Sequence, residues 1–251
     1  MPADDPYFAA SFVPDSVMPR IAMINMCSDE KGEAAFQSLM PRVSQFYTAR
    51  VGADLAAYME GRFELLGGFA FLAAALPPPE RVNLIAFSCT SGTIAGGESF
   101  VAEGFAPTHP GIPCTNPATA AAAGLKAAGA RSIALLTPYP LKVHEKFLPY
   151  FRQRGIEVVA NRSFNLIDDA LVGRVDYESF LGSGKALLAT GRADALFISC
   201  AAFDVVDKLQ SLSVELGVPV YSSTQLFAWH ARQLLKIDPP EFLPASLMPT
   251  A

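Results

Sequence analysis

The 251-residue chain has no basic stripe, and its 19 lysines and arginines are outnumbered by 24 aspartates and glutamates, leaving a formal charge of −5. Binding nucleic acid requires cations that displace backbone counterions, so no nucleic-acid partner is expected. Long apolar runs are missing too. The longest, Leu65 to Leu76, is interrupted by Gly67-Gly68 and stopped by Pro77-Pro78-Pro79, too short to cross a bilayer. The acidic, proline-containing start lacks the basic and apolar regions of a secretory signal, so a cytoplasmic location with no membrane partner is expected. The only histidines, His109, His144 and His230, are scattered, and neither C-x-x-C nor H-E-x-x-H spacing occurs, which predicts no metal. G-x-S-x-G is absent, and Gly92 with Gly96-Gly97 does not form the dinucleotide fingerprint. Gly182-Ser183-Gly184-Lys185 lacks the leading glycine of a P-loop, because Ser179 stands five residues before Gly184. No organic cofactor is expected.

What the chain has is a large apolar share, 51% against 17% charged residues, as in a well-buried α/β enzyme. Its four cysteines, at 27, 89, 114 and 200, are too widely spaced for a disulfide framework. Two of them end matching apolar runs, Leu84-Ile85-Ala86-Phe87-Ser88-Cys89 and Leu196-Phe197-Ile198-Ser199-Cys200. Short runs of this kind read as buried parallel strands, whose carboxyl ends are where open α/β sheets hold ligands. The two cysteines are 111 residues apart; Ile21-Ala22-Met23-Ile24 and Ile133-Ala134-Leu135-Leu136 are 112 apart; Gly111-Ile112-Pro113 and Gly217-Val218-Pro219 are 106 apart. Three landmarks recurring in one order indicate a duplicated unit, with two thiols facing one cleft between the halves.

Alternating strands and helices support this division. The predicted elements begin, after a proline-containing arm over residues 1–18, with a strand from Arg20 to Met26 and a helix from Glu30 that breaks at Pro41. A helical stretch from Asp54 to Leu76, the strand ending at Cys89 and a helix entered through Thr90-Ser91-Gly92-Thr93 come next. Pro117 opens an alanine-rich helix to Ala128. The second unit has strands at Arg131 to Thr137, Ile156 to Ala160, the run ending at Cys200, and Pro219 to Ser222. Its helices cover Lys142 to Arg154, Tyr177 to Thr190 and Asp204 to Leu216, followed by a terminal helix through Thr224 to His230. The first α/β unit is accordingly assigned residues 1–116 and 225–251, the second residues 117–224.

A cysteine thiol is a strong nucleophile in its thiolate form, and a helix N-terminus lowers its pKa. Two thiols on opposite faces of one carbon can work as base and acid, or as nucleophile and proton donor, without metal or cofactor. Backbone N–H groups and the hydroxyls of Thr90 and Ser91 would hold a carboxylate. Cysteine is also ordinary core filler, but the repetition of context weighs against that for Cys89 and Cys200. Cys27 and Cys114 have no such counterpart and read as packing residues, Cys27 being the one that could line the cleft.

Phe87-Ser88-Cys89-Thr90-Ser91-Gly92-Thr93, Thr137-Pro138-Tyr139, Phe197-Ile198-Ser199-Cys200 and Pro219-Val220-Tyr221-Ser222-Ser223-Thr224-Gln225 resemble the aspartate/glutamate racemase superfamily. The nearest group is that of maleate cis-trans isomerases, ectoine-utilisation proteins and arylmalonate decarboxylases. The resemblance implies two pseudo-symmetric, flavodoxin-like α/β units with parallel sheets, an active site in the cleft between them, and a homodimer or higher homo-oligomer. It also implies cofactor-independent isomerisation or racemisation of a small carboxylic acid. Cys89 would be nucleophile or base and Cys200 the opposing acid, with Tyr139 and the backbone near Thr90, Ser91 and Ala201 binding a carboxylate. An arylmalonate-type decarboxylase and a non-catalytic, two-lobed binding protein are the alternatives; the presence of both cysteines speaks against the decarboxylase. Where maleate isomerases read Pro-Ser-Ser-Asn, this chain has Met26-Cys27-Ser28-Asp29, and a second family asparagine falls at Asp169. Carboxylates at these positions repel a dianion such as maleate, which points to an amino-bearing substrate contacted by Asp29 and Asp169. Helix capping is the alternative role for Asp29.

Overall fold

The computed structural model describes residues 10–12, 14, 18–42, 44–190 and 192–237. The arm expected over residues 1–18 lies mostly outside them. The first half of the chain runs β1 (Arg20–Met26), α1 (Gly32–Ser38), β2 (Gln45–Val51), α2 (Leu55–Met59), α3 (Gly68–Ala74), β3 (Leu84–Ser88), α4 (Thr90–Gly96), α5 (Phe100–Phe105), β4 (Cys114–Thr115) and α6 (Pro117–Ala127). The second half runs β5 (Ser132–Thr137), α7 (Leu141–His144), α8 (Phe147–Gln153), β6 (Glu157–Ser163), α9 (Asp169–Val172), α10 (Tyr177–Leu188), β7 (Ala195–Ile198), α11 (Leu209–Leu216), β8 (Val220–Ser222) and α12 (Ser223–Leu234).

The strands form two all-parallel sheets of matching order, β2-β1-β3-β4 and β6-β5-β7-β8. Ile21 pairs with Leu84 in the first sheet as Ile133 pairs with Ala195 in the second, so the duplicated landmarks occupy equivalent rungs. Each Gly-x-Pro precedes an edge strand, β4 or β8, whose end caps a helix. Asn116 accepts from the Thr119 N–H at 2.8 Å, and Ser222, 106 residues later, accepts from the Gln225 N–H at 3.2 Å.

Strand alternation divides the first sheet's side chains between two cores. Ile21, Met23, Leu84 and Ala86 face one layer; Ala22, Ile24, Ile85, Phe87 and Cys89 face the other. Helices α6 and α12 stand between the sheets and serve both. Ala120, Phe227, Ala228 and Ala231 pack on the first sheet, while Ala121, Leu125, Leu226 and Trp229 pack with the second. Gly124 lets the two helices approach, since a Cβ there would lie 2.7 Å from a Leu226 methyl.

Several expected elements are corrected. Strand β2 falls in a stretch where no element was expected, although its Phe, Tyr, Thr and Val are β-formers and β6 occupies the matching place in the second unit. The single helix expected from Asp54 to Leu76 is two short helices, α2 and α3, separated by a stretch that holds left-handed glycines at 61 and 67. The loop between them pairs Ala53 with Leu65 in an antiparallel bridge. The helix expected from Lys142 to Arg154 is divided into α7 and α8, and that expected from Asp204 begins as a 3-10 turn at Val206–Lys208 before α11. Among the described residues no helix is long and apolar enough to cross a membrane.

Phe227 is fully buried with its ring 4.5 Å from that of Phe36, at the contact of α12 with α1. Phe227→Ala is expected to cost about 3–5 kcal/mol. Urea unfolding measures this, and a loss below about 1 kcal/mol would show that α12 does not tie the first sheet into the whole.

Candidate active site

The carboxyl ends of both sheets open onto one cavity of about 470 Å³, lined by Asp29, Cys89, Thr90, Ser91, Tyr139, Asp169, Cys200 and Ala201 together. Every residue singled out from the sequence is thus brought to a single space. Two parallel sheets with equivalent topology present equivalent strand ends, so Cys89 after β3 and Cys200 after β7 enter from opposite units.

Cys89 caps α4: its sulfur accepts from the Gly92 N–H at 3.3 Å and lies 3.9 Å from Ser91 Oγ. Glycine at 92 lets Phe63 cover this corner, for a Cβ there would meet the Phe63 ring at 2.5 Å. The helix was expected to depress the thiol pKa, and here the structure corrects the expectation. Burial pushes Cys89 up to about 12, outweighing the Gly92 and Ser91 hydrogen bonds. Cys200 is followed by a turn at Ala201 and Ala202, not by a helix. Burial, then the charge of Asp169, raise it well above its ordinary value, opposed by hydrogen bonds from the Tyr139 hydroxyl and the Ala202 N–H. Burial therefore favours the neutral thiol form of both sulfurs at physiological pH.

Tyr139 is buried, stacked on Phe147 with ring centroids 5.2 Å apart. Its carbonyl accepts from the Ser163 hydroxyl. The Thr90 hydroxyl donates to Ser223 at 3.3 Å, and Ser91 accepts from the Tyr58 hydroxyl at 3.3 Å. The Ala201 carbonyl accepts from Thr224 at 3.2 Å. Asp29 does cap the start of α1, since Oδ1 accepts from the N–H groups of Lys31 and Gly32 at 2.9 and 2.8 Å. Oδ2 is buried with no hydrogen-bond partner among the described residues. Asp169 opens α9 and accepts from the Ser28 hydroxyl at 2.6 Å, a bond between the two units. Burial and the neighbouring charges of Asp29 and Asp168 raise its pKa, against the Ser28 hydrogen bond.

Cys27, at the exposed rim, also lines the cavity; Cys114 does not. Tyr58, Phe63, Leu166 and Ile167 line it and were missed. Tyr58 recurs with Leu55, Met59, Phe63 and Leu66 at near-helical spacing, which reads as an apolar stripe, although its hydroxyl signals the need for a polar partner. Among the described residues no group of three or more His, Cys, Asp or Glu is gathered as metal ligands.

The model of the arylmalonate decarboxylase family matches residues 79–242. The chain belongs to this family. It is 30% identical to the arylmalonate decarboxylase of Bordetella bronchiseptica over 125 residues, which is 49% of this chain and spans about half, 52%, of that protein. It is 28% identical to a maleate isomerase of Nocardia farcinica over 172 residues, 65% of this chain and 67% of that protein. The fold matches a Nocardia farcinica maleate cis-trans isomerase variant solved with a covalently bound succinylcysteine intermediate, with a TM-score of 0.72 at 22% identity over 88% of this chain and 94% of the other.

Raised thiol pKa values should slow alkylation, because at pH 8 a thiol near 12 is only about one part in ten thousand thiolate. Iodoacetamide at pH 8 should label exposed Cys27 well before Cys89 or Cys200, with Cys89 labelling climbing as pH rises toward 12. Peptide mass spectrometry reads the order. Equal labelling of Cys27 and Cys89 at pH 8 would contradict the burial argument.

Proposed function

We propose that this protein is a cofactor-independent isomerase or racemase in which Cys89 and Cys200 act from opposite faces on the carbon beside a carboxylate. The observation that carries the reading is the pair of thiols from matched strands lining one cavity, each with its own hydrogen-bond donors. In racemisation, one thiol first gives its proton to solvent, against its raised pKa; the resulting thiolate takes the α-proton and becomes a thiol again, and the electron pair moves into the carboxylate. The opposite thiol then gives its proton to the other face and is left as thiolate, so the two sulfurs exchange roles. In cis-trans isomerisation, a thiolate adds to one alkene carbon, the electron pair delocalises into the neighbouring carboxylate, rotation follows, and elimination returns the thiolate. Thr90 and Ser91 begin α4, where backbone N–H groups lack intrahelical acceptors, and with Tyr139 they supply donors for the charge that develops on the carboxylate. The succinylcysteine found on the similar Nocardia isomerase supports a nucleophilic cysteine here.

Decarboxylation is the second reading, favoured by the family and by the apolar wall of Leu55, Phe63, Leu166 and Ile167, which suits a bulky substituent. It requires Cys200 alone, as proton donor to the carbanion left when carbon dioxide departs.

Maleate, phenylmalonate and enantiopure amino acids incubated with the enzyme in D2O, followed by NMR, distinguish these readings. Under the isomerase or racemase reading, Cys89→Ser and Cys200→Ser each lower turnover by about a thousandfold or more. Carbon dioxide release that survives Cys89→Ser but not Cys200→Ser would replace it with the decarboxylase. Affinity retained by both variants, with no turnover of any compound by the unaltered protein, would identify a binding protein instead.

A further inference from the structure

Helix α4 carries a thiol at one end and an anchor to the second half of the chain at the other. Cys89 caps its start, and Thr90 and Ser91 in its first turn line the cavity. At about 1.5 Å per residue its 7 residues make a rod about 10 Å long, so a shift at one end is felt at the other. The helix has little of its own to hold it. It contains Gly92 and Gly96 and stops at Gly97, whose φ of 93° suits glycine alone.

Glu98 follows at once, and both of its carboxylate oxygens are taken by the second half of the chain. Oε1 accepts from the Tyr150 hydroxyl at 2.6 Å and from Arg154 Nε at 3.1 Å, and Oε2 pairs with Arg154 Nη2 at 2.9 Å. A two-pronged contact between guanidinium and carboxylate fixes direction as well as distance. Arg154 is itself held, since Nη1 donates to the Tyr150 carbonyl at 2.9 Å and the guanidinium lies 3.7 Å over the Tyr150 ring. The Arg154 and Glu98 side chains are 23% and 36% exposed, against 59% and 63% for Lys142 and Glu60, so solvent screens this pair less than that one.

The far side of the anchor leads to the other thiol. Tyr150 lies in α8 and Arg154 caps its end, while Phe147 at its start stacks on Tyr139, whose hydroxyl bonds Cys200. Phe151 packs on Phe197 of β7, the strand that leads to Cys200. A continuous path of covalent and packed contacts thus runs from Cys89 through α4, Glu98, Arg154 and α8 to Tyr139 and Cys200. We propose that Glu98, gripped by Arg154 and Tyr150, is a positioning residue that seats α4 and so sets how deeply Cys89 is buried opposite the Cys200 side. The two-thiol reading gives this seat its consequence for catalysis, but the seat itself is readable at the sulfur.

Burial is the main cause of the raised Cys89 pKa, so admitting water beside α4 should bring the thiol back toward its ordinary range. The Gly92 and Ser91 hydrogen bonds oppose the rise and the charges of Asp169 and Asp29 add to it; none of these four contacts is made by Glu98. An ion pair that served stability alone would leave the Cys89 value where it is.

The test is iodoacetamide labelling of the full chain between pH 7 and pH 10, read by peptide mass spectrometry, for the unaltered protein, Glu98→Ala, Arg154→Ala and the double variant. Each single variant should label Cys89 about threefold or more faster at pH 8, since each unit by which the pKa falls gives tenfold more thiolate of somewhat lower reactivity. The double variant should exceed neither single, because the two residues make one contact. Cys114, half-buried in β4, should keep its rate and so reports any loosening of the whole sheet. Lys142→Ala, which breaks the exposed pair with Glu60, should leave Cys89 labelling unchanged. Should Arg154→Ala not fold, Tyr150→Phe, which removes one hydroxyl and keeps the ring, is read in its place and should act in the same direction. Unchanged Cys89 labelling, equal acceleration of Cys89 and Cys114, additive effects of the two substitutions, or the same acceleration from Lys142→Ala would each overturn the proposal. Labelling needs no substrate, so failure of the two-thiol mechanism, read from turnover by Cys89→Ser and Cys200→Ser, is seen separately.

Discussion

The packing of α6 and α12 between the two sheets is the contact on which the cavity depends. Parallel strands deliver their carboxyl ends to one edge of a sheet, so the cysteines of a single unit, Cys27 and Cys89, reach the cavity from the same side. Facing the second cysteine across a shared space requires a second sheet fixed in position. Small residues achieve this: Ala120 and Ala121 turn to opposite cores, and Gly124 admits Leu226 at van der Waals range. The same two helices begin at the capped ends of the edge strands β4 and β8, so the duplicated turn chemistry and the duplicated site have one structural origin.

With both thiols lining one cavity, electrostatics governs what they can do. Both are buried beside carboxylates, and burial decides their protonation before any hydrogen bond from Gly92, Ser91, Tyr139 or Ala202 is considered. A buried neutral thiol is a weaker nucleophile than an exposed thiolate. The bond from Ser28 to Asp169 crosses between units at the cavity rim, and Lys142 with Glu60 and Arg154 with Glu98 make ion pairs elsewhere along the same junction. The Arg154 guanidinium also lies 3.7 Å over the Tyr150 ring, and the Tyr150 hydroxyl donates to Glu98 at 2.6 Å.

Strands β1, β3, β5 and β7 were legible because strands buried on both faces must be apolar throughout, a local property of the chain. The helix starts at Pro117 and Tyr177 were equally local. Strand β2 was hidden, for its outer position leaves Gln45, Arg50 and others at the surface and dilutes the apolar pattern. Leu55, Tyr58, Met59, Phe63 and Leu66 recur at helical spacing, but left-handed glycines at 61, 67 and 68 end the helix and turn Phe63 back onto Gly92.

By itself the amino-acid sequence determined the duplication, the parallel α/β class and the identity of the two cysteines, since these follow from periodicity and spacing along one chain. Only the tertiary structure decided that burial raises the thiol pKa values, that Tyr58 and Phe63 line the same cavity, and that Asp29 Oδ2 has no hydrogen-bond partner among the described residues. Burial, and the approach of groups more than a hundred residues apart, arise from packing in three dimensions, which no local pattern encodes.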